Sequence, residues 1–213
     1  MQTDAESTVT EHLYKVLVIG DTEVGKTSLV RRLVKNQYAE GYKISVGADF
    51  ALKIINWDRN TVVRLHLWDI AGQERVRNLS RVYYQKAMGA LVVYDITNDT
   101  TLGSALSWKC DLDNKLRLSN GKPIPAVLLA NKCDQSRHSP SESSLLDKIC
   151  NEKDFVGWFE TSAKENINVK EAVNFLVRHI LLSDNLLPSE ESHKDQIALN
   201  TQSEAPRNKT NCC

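Results

Sequence analysis

Apolar positions along the chain follow two different spacings. Short runs rich in β-branched residues, such as Val16-Leu17-Val18-Ile19, are separated by longer segments whose apolar residues recur at helical spacing. The short runs predict six strands, at residues 14–19, 49–57, 62–68, 90–94, 126–130 and 156–159. The longer segments predict four helices, at residues 26–35, 102–116, 143–151 and 169–182. This alternation predicts an α/β fold: a six-stranded, mostly parallel sheet with helices on both faces and ligand at the carboxyl ends of the strands.

The same pattern divides the chain into three parts. Residues 1–12 are polar and acidic, which predicts a flexible start without a signal peptide. Residues 13–182 carry all the alternating elements and form one predicted domain. Residues 183–213 are polar, lack periodicity and contain Pro188 and Pro206, so we expect a disordered tail. No apolar run approaches the roughly 18 residues of a membrane-spanning helix.

Charge and cysteine content narrow the possible functions. Lys plus Arg and Asp plus Glu number 27 each, and this balance argues against broad electrostatic binding to nucleic acid. Cys110, Cys133 and Cys150 are scattered without metal-ligand or redox spacing. That distribution favours reduced thiols in a cytosolic protein over a disulfide.

A glycine-containing loop joins the first predicted strand to the first predicted helix. It runs from Gly20 to Thr27 as Gly-Asp-Thr-Glu-Val-Gly-Lys-Thr. In this setting backbone N–H groups surround phosphate oxygens, and the helix N-terminus adds positive potential. The Lys26 amine can reach the β- and γ-phosphates, and the Thr27 hydroxyl can bind Mg²⁺. A chance match to this phosphate-binding pattern rarely falls between a strand and a helix, so we predict a nucleotide-binding protein.

Two further motifs follow strands and indicate the base. They are Asn131-Lys132-Cys133-Asp134 and Thr161-Ser162-Ala163-Lys164. The Asp134 carboxylate can accept hydrogen bonds from the ring N–H and the exocyclic amine of guanine, whereas adenine would leave it unpaired at high cost. The Ala163 N–H can donate to the guanine oxygen, and the Lys132 stem can lie across the ring. Guanine is therefore predicted, and an ATP-using P-loop enzyme is nearly excluded.

Four motifs together resemble the small GTPases of the Ras superfamily. They are residues 20–27, residues 68–74 (Trp-Asp-Ile-Ala-Gly-Gln-Glu), residues 131–134 and residues 161–164. Tyr83-Tyr84, residues 91–97 and the pair Cys212-Cys213 are similar to the Rab branch. Ile70 and residues 50–53, 120–123 and 157–160 resemble the Rabs of lysosome-related organelles, endolysosomes and the trans-Golgi. The resemblance implies the G domain of a P-loop small GTPase.

The resemblance also implies the ligands and the residues that hold them. GTP or GDP would bind with Mg²⁺, for which Thr27 and Ser45 are direct ligands and Asp69 acts through water. Gln73 would orient the attacking water, and Lys26 would stabilise charge during hydrolysis. Tyr38 aligns with the aromatic residue that packs against guanine. The implied nucleotide-binding residues are Thr22, Glu23, Val24, Gly25, Lys26, Thr27, Ser28, Tyr38, Ser45, Gly72, Asn131, Lys132, Asp134, Ser162, Ala163 and Lys164.

Partners and location follow from the same resemblance. A Rab cycles between GDP and GTP states, recruits effectors and controls vesicle or organelle trafficking. The implied partners are a guanine-nucleotide exchange factor, a GTPase-activating protein, a GDP-dissociation inhibitor, an escort protein and a geranylgeranyl transferase that modifies Cys212 and Cys213. Two prenyl chains would anchor a monomer to the cytoplasmic face of intracellular membranes, with a cytosolic pool.

Several residues depart from the family pattern. Glu23 stands beside the phosphates where glycine is common, which predicts faster GDP release. Ser45 replaces a threonine, Val76 a phenylalanine and Ala48 a valine. Val76 and Ala48 reduce the apolar surface that partners contact, whereas Glu23 and Ser45, with Thr22, suggest an alternative function: a nucleotide-binding adaptor that barely hydrolyses GTP or stays in one state. Since Lys26, Asp69 and Gln73 are all present, the cycling GTPase is the favoured interpretation.

Overall fold

A six-stranded sheet forms the centre of the protein in a computed structural model that describes residues 9–39, 47–75, 80–136 and 139–185. The strands are β1 (Thr10–Ile19), β2 (Ala48–Asn56), β3 (Thr61–Ile70), β4 (Ala87–Asp95), β5 (Ala126–Asn131) and β6 (Gly157–Thr161). Their order across the sheet is β2-β3-β1-β4-β5-β6. Only the β2–β3 pair is antiparallel among the described strands, which confirms the predicted mostly parallel sheet.

Helices cover both faces of this sheet. They are α1 (Lys26–Lys35), α2 (Ser80–Tyr84), α3 (Thr100–Lys115), α4 (Pro140–Glu152) and α5 (Val169–Ser183). Apolar side chains of α1 and α5 pack with one face of the sheet, and those of α2, α3 and α4 pack with the other. None of the described helices is long and apolar enough to cross a membrane.

The structure extends several predicted elements and adds two short ones. β1 begins at Thr10 rather than residue 14, because its polar start pairs with β3 and the Glu11 carboxylate accepts two hydrogen bonds from Arg64. Thr10–His12 therefore belong to the sheet and not to the predicted flexible start. α2 and a 3-10 turn at Gly72–Arg75 were not predicted, since five and four residues are too short to show periodicity.

Helix α4 begins three residues earlier than its apolar pattern predicts. The Ser139 hydroxyl accepts a hydrogen bond from the Glu142 N–H, and the Glu142 carboxylate accepts one from the Ser139 N–H. This capping box satisfies two backbone donors, and Pro140 fits the first turn because it lacks an N–H there. The signal lies in polar residues, so apolar spacing alone does not detect it.

The topology brings the loops that carry the sequence motifs to one edge of the sheet. β1, β3, β4, β5 and β6 run parallel, so their carboxyl ends lie at the same edge. The four motifs lie at the carboxyl ends of β1, β3, β5 and β6 and in the segments that follow them. A ligand site at this edge is what the strand order predicts.

Candidate functional site

The loop from β1 to α1 needs glycine at both ends. Gly20 has φ +147°, and a Cβ there would lie 2.2 Å from the carbonyl oxygen of Val93. Gly25 has φ +98°, and a Cβ there would lie 2.2 Å from Nδ2 of Asn131. Both positions therefore exclude a side chain on conformational and steric grounds. The loop consequently lies tight against β4 and β5.

Two adjoining cavities lie at this loop. The larger, of about 210 Å³, is lined by Thr22, Glu23, Gly25, Lys26, Thr27, Ser28, Arg31, Gln37, Tyr38, Ala39, Ala71, Gly72 and Lys132. The smaller, of about 60 Å³, is lined by Gly25, Ser28, Tyr38, Asn131, Lys132, Asp134, Gln135, Ala163 and Lys164. The cavities share four residues, so they form one cleft with a wide end at α1 and a narrow end at Asp134.

Lys26 is a cation at the wide end of the cleft. Its side chain is only 6% exposed, and Nζ donates a hydrogen bond to the backbone oxygen of Asp21 at 2.6 Å. Burial lowers the pKa of Lys26 to about 8, although the charges of Asp69 and Asp21 oppose this shift. The amine is thus held where an anionic ligand would restore its preference for the charged form.

Thr27 and Asp69 bring two oxygen-bearing side chains together beside Lys26. The Thr27 hydroxyl donates a hydrogen bond to Oδ2 of Asp69, whose side chain is 2% exposed. Burial raises the pKa of Asp69, while the Thr27 bond and the Lys26 charge act in the opposite direction. Oδ1 of Asp69 is buried and has no hydrogen-bond partner among the described residues. A hydroxyl and an unsatisfied carboxylate oxygen fit Mg²⁺, a hard cation that prefers oxygen and keeps several waters.

Asn131 connects the narrow end of the cleft to the phosphate loop. Its Nδ2 donates to the backbone oxygen of Val24 at 2.8 Å, and its Oδ1 accepts from the Thr161 hydroxyl at 3.4 Å. The Asn131 side chain is buried. One amide therefore joins the loops that follow β1, β5 and β6.

The carboxylate of Asp134 is oriented by the loop that follows β6. The Ser162 hydroxyl donates to Oδ1 of Asp134 at 2.6 Å and accepts from the Glu165 N–H at 2.9 Å. Ala163 is buried next to this pair and lines the narrow end. A carboxylate fixed in this way presents its second oxygen as an acceptor to a ligand.

Lys132 is held by Asp95, a residue that the four motifs do not include. Its Nζ forms an ion pair with Oδ2 of Asp95 at 2.5 Å, and its backbone has φ +69°. Burial alone would raise the pKa of Asp95, but hydrogen bonds from Lys132 and Thr97 lower it overall. Since Asp95 ends β4 at the ligand edge of the sheet, its position in the strand order is the signal that points to it.

The remaining predicted residues take different positions relative to the cleft. Tyr38 lies at the mouth of both cavities, and Gly72 lines the wide end, where a Cβ would lie 2.3 Å from the backbone nitrogen of Thr22. Gln73 is exposed on the 3-10 turn and does not line either cavity. Val24 is buried in the core and contributes its carbonyl group to the bond with Asn131. Predictions for Ser45, Val76, Cys212 and Cys213 lie outside the described residues.

Two arginines of α1 were not predicted as part of the site. Arg31 lines the wide end, and Arg32 donates hydrogen bonds to the backbone oxygens of Ala163 and Lys164. The apolar pattern of α1 assigns both to the polar side of the helix, which carries no information on what they contact. Only the packing of α1 beside the loop after β6 reveals their contacts.

Comparison with known proteins agrees with this geometry. Residues 15–182 match the model of the Ras family. The chain is 54% identical over 203 residues to Ras-related protein Rab-32 of Homo sapiens, an alignment covering 95% of this chain and 90% of that protein. It is 51% identical over 176 residues to Ras-related protein Rab-32A of Dictyostelium discoideum, covering 82% and 80%. It is 46% identical over 192 residues to Ras-related protein Rab-7L1 of Homo sapiens, covering 90% of each.

These similarities extend over most of the chain and include both the sheet and the cleft. They confirm the predicted Rab-type G domain and its guanine nucleotide ligand, and they favour the GTPase over the adaptor that barely hydrolyses. The chain therefore belongs to the Ras family, as a Rab-type small GTPase that binds guanine nucleotides, hydrolyses GTP, associates with membranes and acts in membrane trafficking through regulators and effectors.

Proposed function

We propose that the nucleotide lies along the whole cleft, with its phosphates at the N-terminus of α1 and guanine beside Asp134. The observation that carries this proposal is that the two cavities share Gly25, Ser28, Tyr38 and Lys132, so one elongated ligand can fill both. Backbone N–H groups of the loop and the start of α1 would bind the phosphates. Asp134 and the Ala163 N–H would bind the guanine edge, and Lys132 would lie along the ring.

We propose Thr27 and Asp69 as the residues that hold Mg²⁺ in this chain. The support is the buried Oδ1 of Asp69 without a hydrogen-bond partner among the described residues, next to the Thr27 hydroxyl. The bound ion supplies positive charge beside the phosphate oxygens. Ser45, the third ligand implied by the family, lies outside the described residues and remains a prediction.

Hydrolysis is proposed to depend on Gln73 and Lys26. Lys26 is placed to stabilise charge on the phosphates, while Gln73 would orient the attacking water. Because Gln73 is exposed and outside the cleft, this role requires the turn at Gly72–Arg75 to move its side chain towards the phosphates. The wide end of the cleft already includes Gly72, the residue next to it.

An exposed apolar face of the sheet is the proposed contact surface for effectors, the exchange factor and the GTPase-activating protein. Phe50 is 61% exposed on β2, and Leu52 and Ile54 follow it on the same face. The Phe50 ring meets Trp68 edge-on, with centroids 4.4 Å apart, and Trp68 lies near Tyr83 of α2. Contiguous exposed apolar side chains of this kind mark protein–protein contact sites. Trp68, which the Phe50 ring contacts, lies on β3 four residues before the turn that contains Gln73, so a change in that turn can reach this face through β3.

Membrane attachment is proposed to depend on prenylation of Cys212 and Cys213. In this arrangement residues 10–183 form the G domain, since α5 includes Ser183, and residues 184–213 connect it to the lipid. A GDP-dissociation inhibitor, an escort protein and a geranylgeranyl transferase are the partners that such a lipid requires. The resemblance of Ile70 and residues 50–53, 120–123 and 157–160 to one group of Rabs supports endolysosomal, lysosome-related or trans-Golgi membranes as the location.

The first test is hydrolysis of bound GTP in a single turnover by the full-length protein with Mg²⁺. We expect Gln73→Ala to release phosphate at least about tenfold more slowly than the unmodified protein, because the attacking water loses its positioning group. Gln85→Ala, an exposed glutamine after α2, is the control and should hydrolyse normally. Equal rates for all three proteins would reject the role of Gln73. No hydrolysis in the unmodified protein would restore the adaptor interpretation.

Lys26 predicts a specific pH dependence of GDP binding. Below about pH 7 its amine is charged in both free and bound protein, so GDP affinity should be constant. Above pH 8 the free protein has lost this proton, and phosphates must restore it on binding. We therefore expect affinity to fall about tenfold between pH 7 and pH 9, with proton uptake visible by calorimetry in buffers of different ionisation enthalpy. A GDP affinity that stays constant from pH 7 to pH 9 would show that burial does not lower the pKa of Lys26.

Glu23 predicts faster release of GDP than glycine at the same position would allow. Its backbone has φ +65°, a strained value for a residue with a side chain, and it lines the wide end of the cleft near the proposed phosphates. Glu23→Gly should slow dissociation of labelled GDP by about two- to fivefold. Glu23→Gln removes the charge but keeps the side chain, so it separates repulsion from strain. If neither variant changes the rate, Glu23 has no part in release.

The lipid proposal is tested by fractionation and imaging of the tagged full-length chain in cells. The unmodified protein should sediment with membranes and overlap endolysosomal or trans-Golgi markers. Replacement of both Cys212 and Cys213 by serine should move it to the cytosol, because the charged residues of the tail are mainly acidic and attract anionic lipid weakly. Membrane association that persists in the double variant would contradict the proposal.

A further inference from the structure

Arg32 connects α1 to the loop that follows β6. Its Nε donates to the backbone oxygen of Ala163 at 2.8 Å, and its Nη2 donates to the backbone oxygen of Lys164 at 2.8 Å. The two residues it contacts line the narrow end of the cleft, yet Arg32 itself lines neither cavity. The guanidinium therefore acts on the ligand site from outside.

The third nitrogen of Arg32 fixes the side chain to its own helix. Nη1 donates to the backbone oxygen of Asn36 at 3.1 Å, and the Asn36 N–H donates to the backbone oxygen of Arg32 at 3.0 Å. Asn36 is the left-handed C-cap of α1, with φ 52°. A planar guanidinium whose three nitrogens each donate a hydrogen bond has little freedom to change its direction. Its contacts with the loop are accordingly directional.

Apart from those with Arg32, the hydrogen bonds of the loop that follows β6 are mainly within the loop and with Asp134. Ser162 and Ile167 exchange two backbone hydrogen bonds, and the Ser162 hydroxyl connects Asp134 to the Glu165 N–H. These bonds shape the loop around Ser162. Arg32 adds a fixed connection one and two residues further along, at the peptide groups of Ala163 and Lys164.

The opposite end of α1 begins the phosphate site. Lys26 and Thr27 occupy its first turn, and Arg32 follows Lys26 by six residues, about 9 Å along the helix axis. One helix therefore carries phosphate-binding residues at its start and, near its end, a guanidinium bound to the base-side loop. An α-helix is stiff over this length, so it can set the distance between the two ends of the cleft.

We propose that Arg32 is a positioning residue that holds the Ala163–Lys164 backbone at the guanine oxygen, and thereby sets how tightly and how selectively this chain binds guanine nucleotides. The inference rests on the proposed placement of guanine at Asp134 and Ala163. Without the guanidinium, the loop keeps its fold at Ser162 but loses its fixed distance from α1. The contact at the guanine oxygen weakens, whereas the contact of Asp134 with the guanine N–H groups is retained.

The test compares three diphosphates on the full-length protein with Mg²⁺. GDP carries both features of the guanine edge, inosine diphosphate lacks the exocyclic amine, and 6-thioguanosine diphosphate keeps the ring N–H and the amine but replaces the oxygen with sulfur, a weaker acceptor. The first comparison therefore reports the contact with Asp134, and the second reports the contact with the Ala163 N–H. Arg32→Met removes the guanidinium and keeps an apolar stem, Arg32→Lys keeps the charge and a single donor group, and Lys35→Met removes a neighbouring exposed charge of α1 as the matched control.

We expect Arg32→Met to release GDP about tenfold faster and to lose most of the preference for GDP over the 6-thioguanine nucleotide. Its preference for GDP over inosine diphosphate should stay within about twofold of the unmodified value. Arg32→Lys should be intermediate, and Lys35→Met should be unchanged. A role limited to bracing the fold would instead lower the thermal stability and weaken all three nucleotides by one common factor, and that result would overturn the proposal.

Failure of the inference and failure of the proposed function give different results. If the unmodified protein does not prefer GDP over the 6-thioguanine nucleotide, the placement of guanine at Ala163 is wrong. If that preference exists and Arg32→Met retains it together with the normal release rate, the placement stands and the role of Arg32 is rejected. Should Arg32→Met be unfolded by circular dichroism, the same comparison on Arg32→Lys decides, because an unchanged preference there would also reject the role.

Discussion

The site depends on one buried contact between parts of the chain that are far apart in sequence. Asn131 at the end of β5 donates to the Val24 carbonyl in the phosphate loop, and its amide nitrogen occupies the space that a Cβ on Gly25 would fill. The contact therefore requires both the glycine and the amide. It brings the loop after β1 against the loop after β5, and Thr161 adds the loop after β6 through the same side chain. The continuity of the cleft from the start of α1 to Asp134 follows from this packing.

Burial of polar groups at one edge of the sheet is the cost of this arrangement. Lys26, Asp69, Asn131, Thr161 and Ser162 are all buried, in a protein whose other buried side chains are mostly apolar. Asn131, Thr161 and Ser162 make hydrogen bonds to protein groups, whereas the pKa of Lys26 is lowered and one oxygen of Asp69 has no hydrogen-bond partner among the described residues. At the end of the cleft proposed for the base, the hydrogen-bonding capacity of these three buried polar side chains is thus used by groups of the protein itself. In the proposed placement an anion and a cation would complete the other end, so nucleotide and Mg²⁺ should add to the stability of the fold.

Much of this could be predicted from sequence because the determinants are local or periodic. Short apolar runs, separated by segments with helical spacing, indicate the six strands. The position of Gly20–Thr27 between a strand and a helix indicates the end of the cleft where phosphates are proposed to bind. Asn131 and Asp134 were recognisable because strand ends in a parallel sheet share an edge. The contacts of Arg32 were not predictable in the same way, since they depend on how α1 packs beside the loop that follows β6. Asp95 ends β4 at the same edge, but its ion pair with Lys132 depends on side-chain packing that a strand end alone does not specify. The 3-10 turn at Gly72–Arg75 and helix α2 were missed because a single turn leaves no periodic signal.

The two ends of the cleft differ in how firmly the protein holds them, and this difference suits a switch. At the end proposed for the base, Asn131, Ser162 and Arg32 form hydrogen bonds that do not involve a ligand, so guanine would meet a preformed surface there. At the end proposed for the phosphates, Glu23 has a strained backbone, and Gln73 lies on an exposed turn outside the cleft. In this placement a ligand that differs only in its γ-phosphate would act at the less constrained end. Selectivity for the base and sensitivity to the phosphate can therefore change independently, because different contacts determine them.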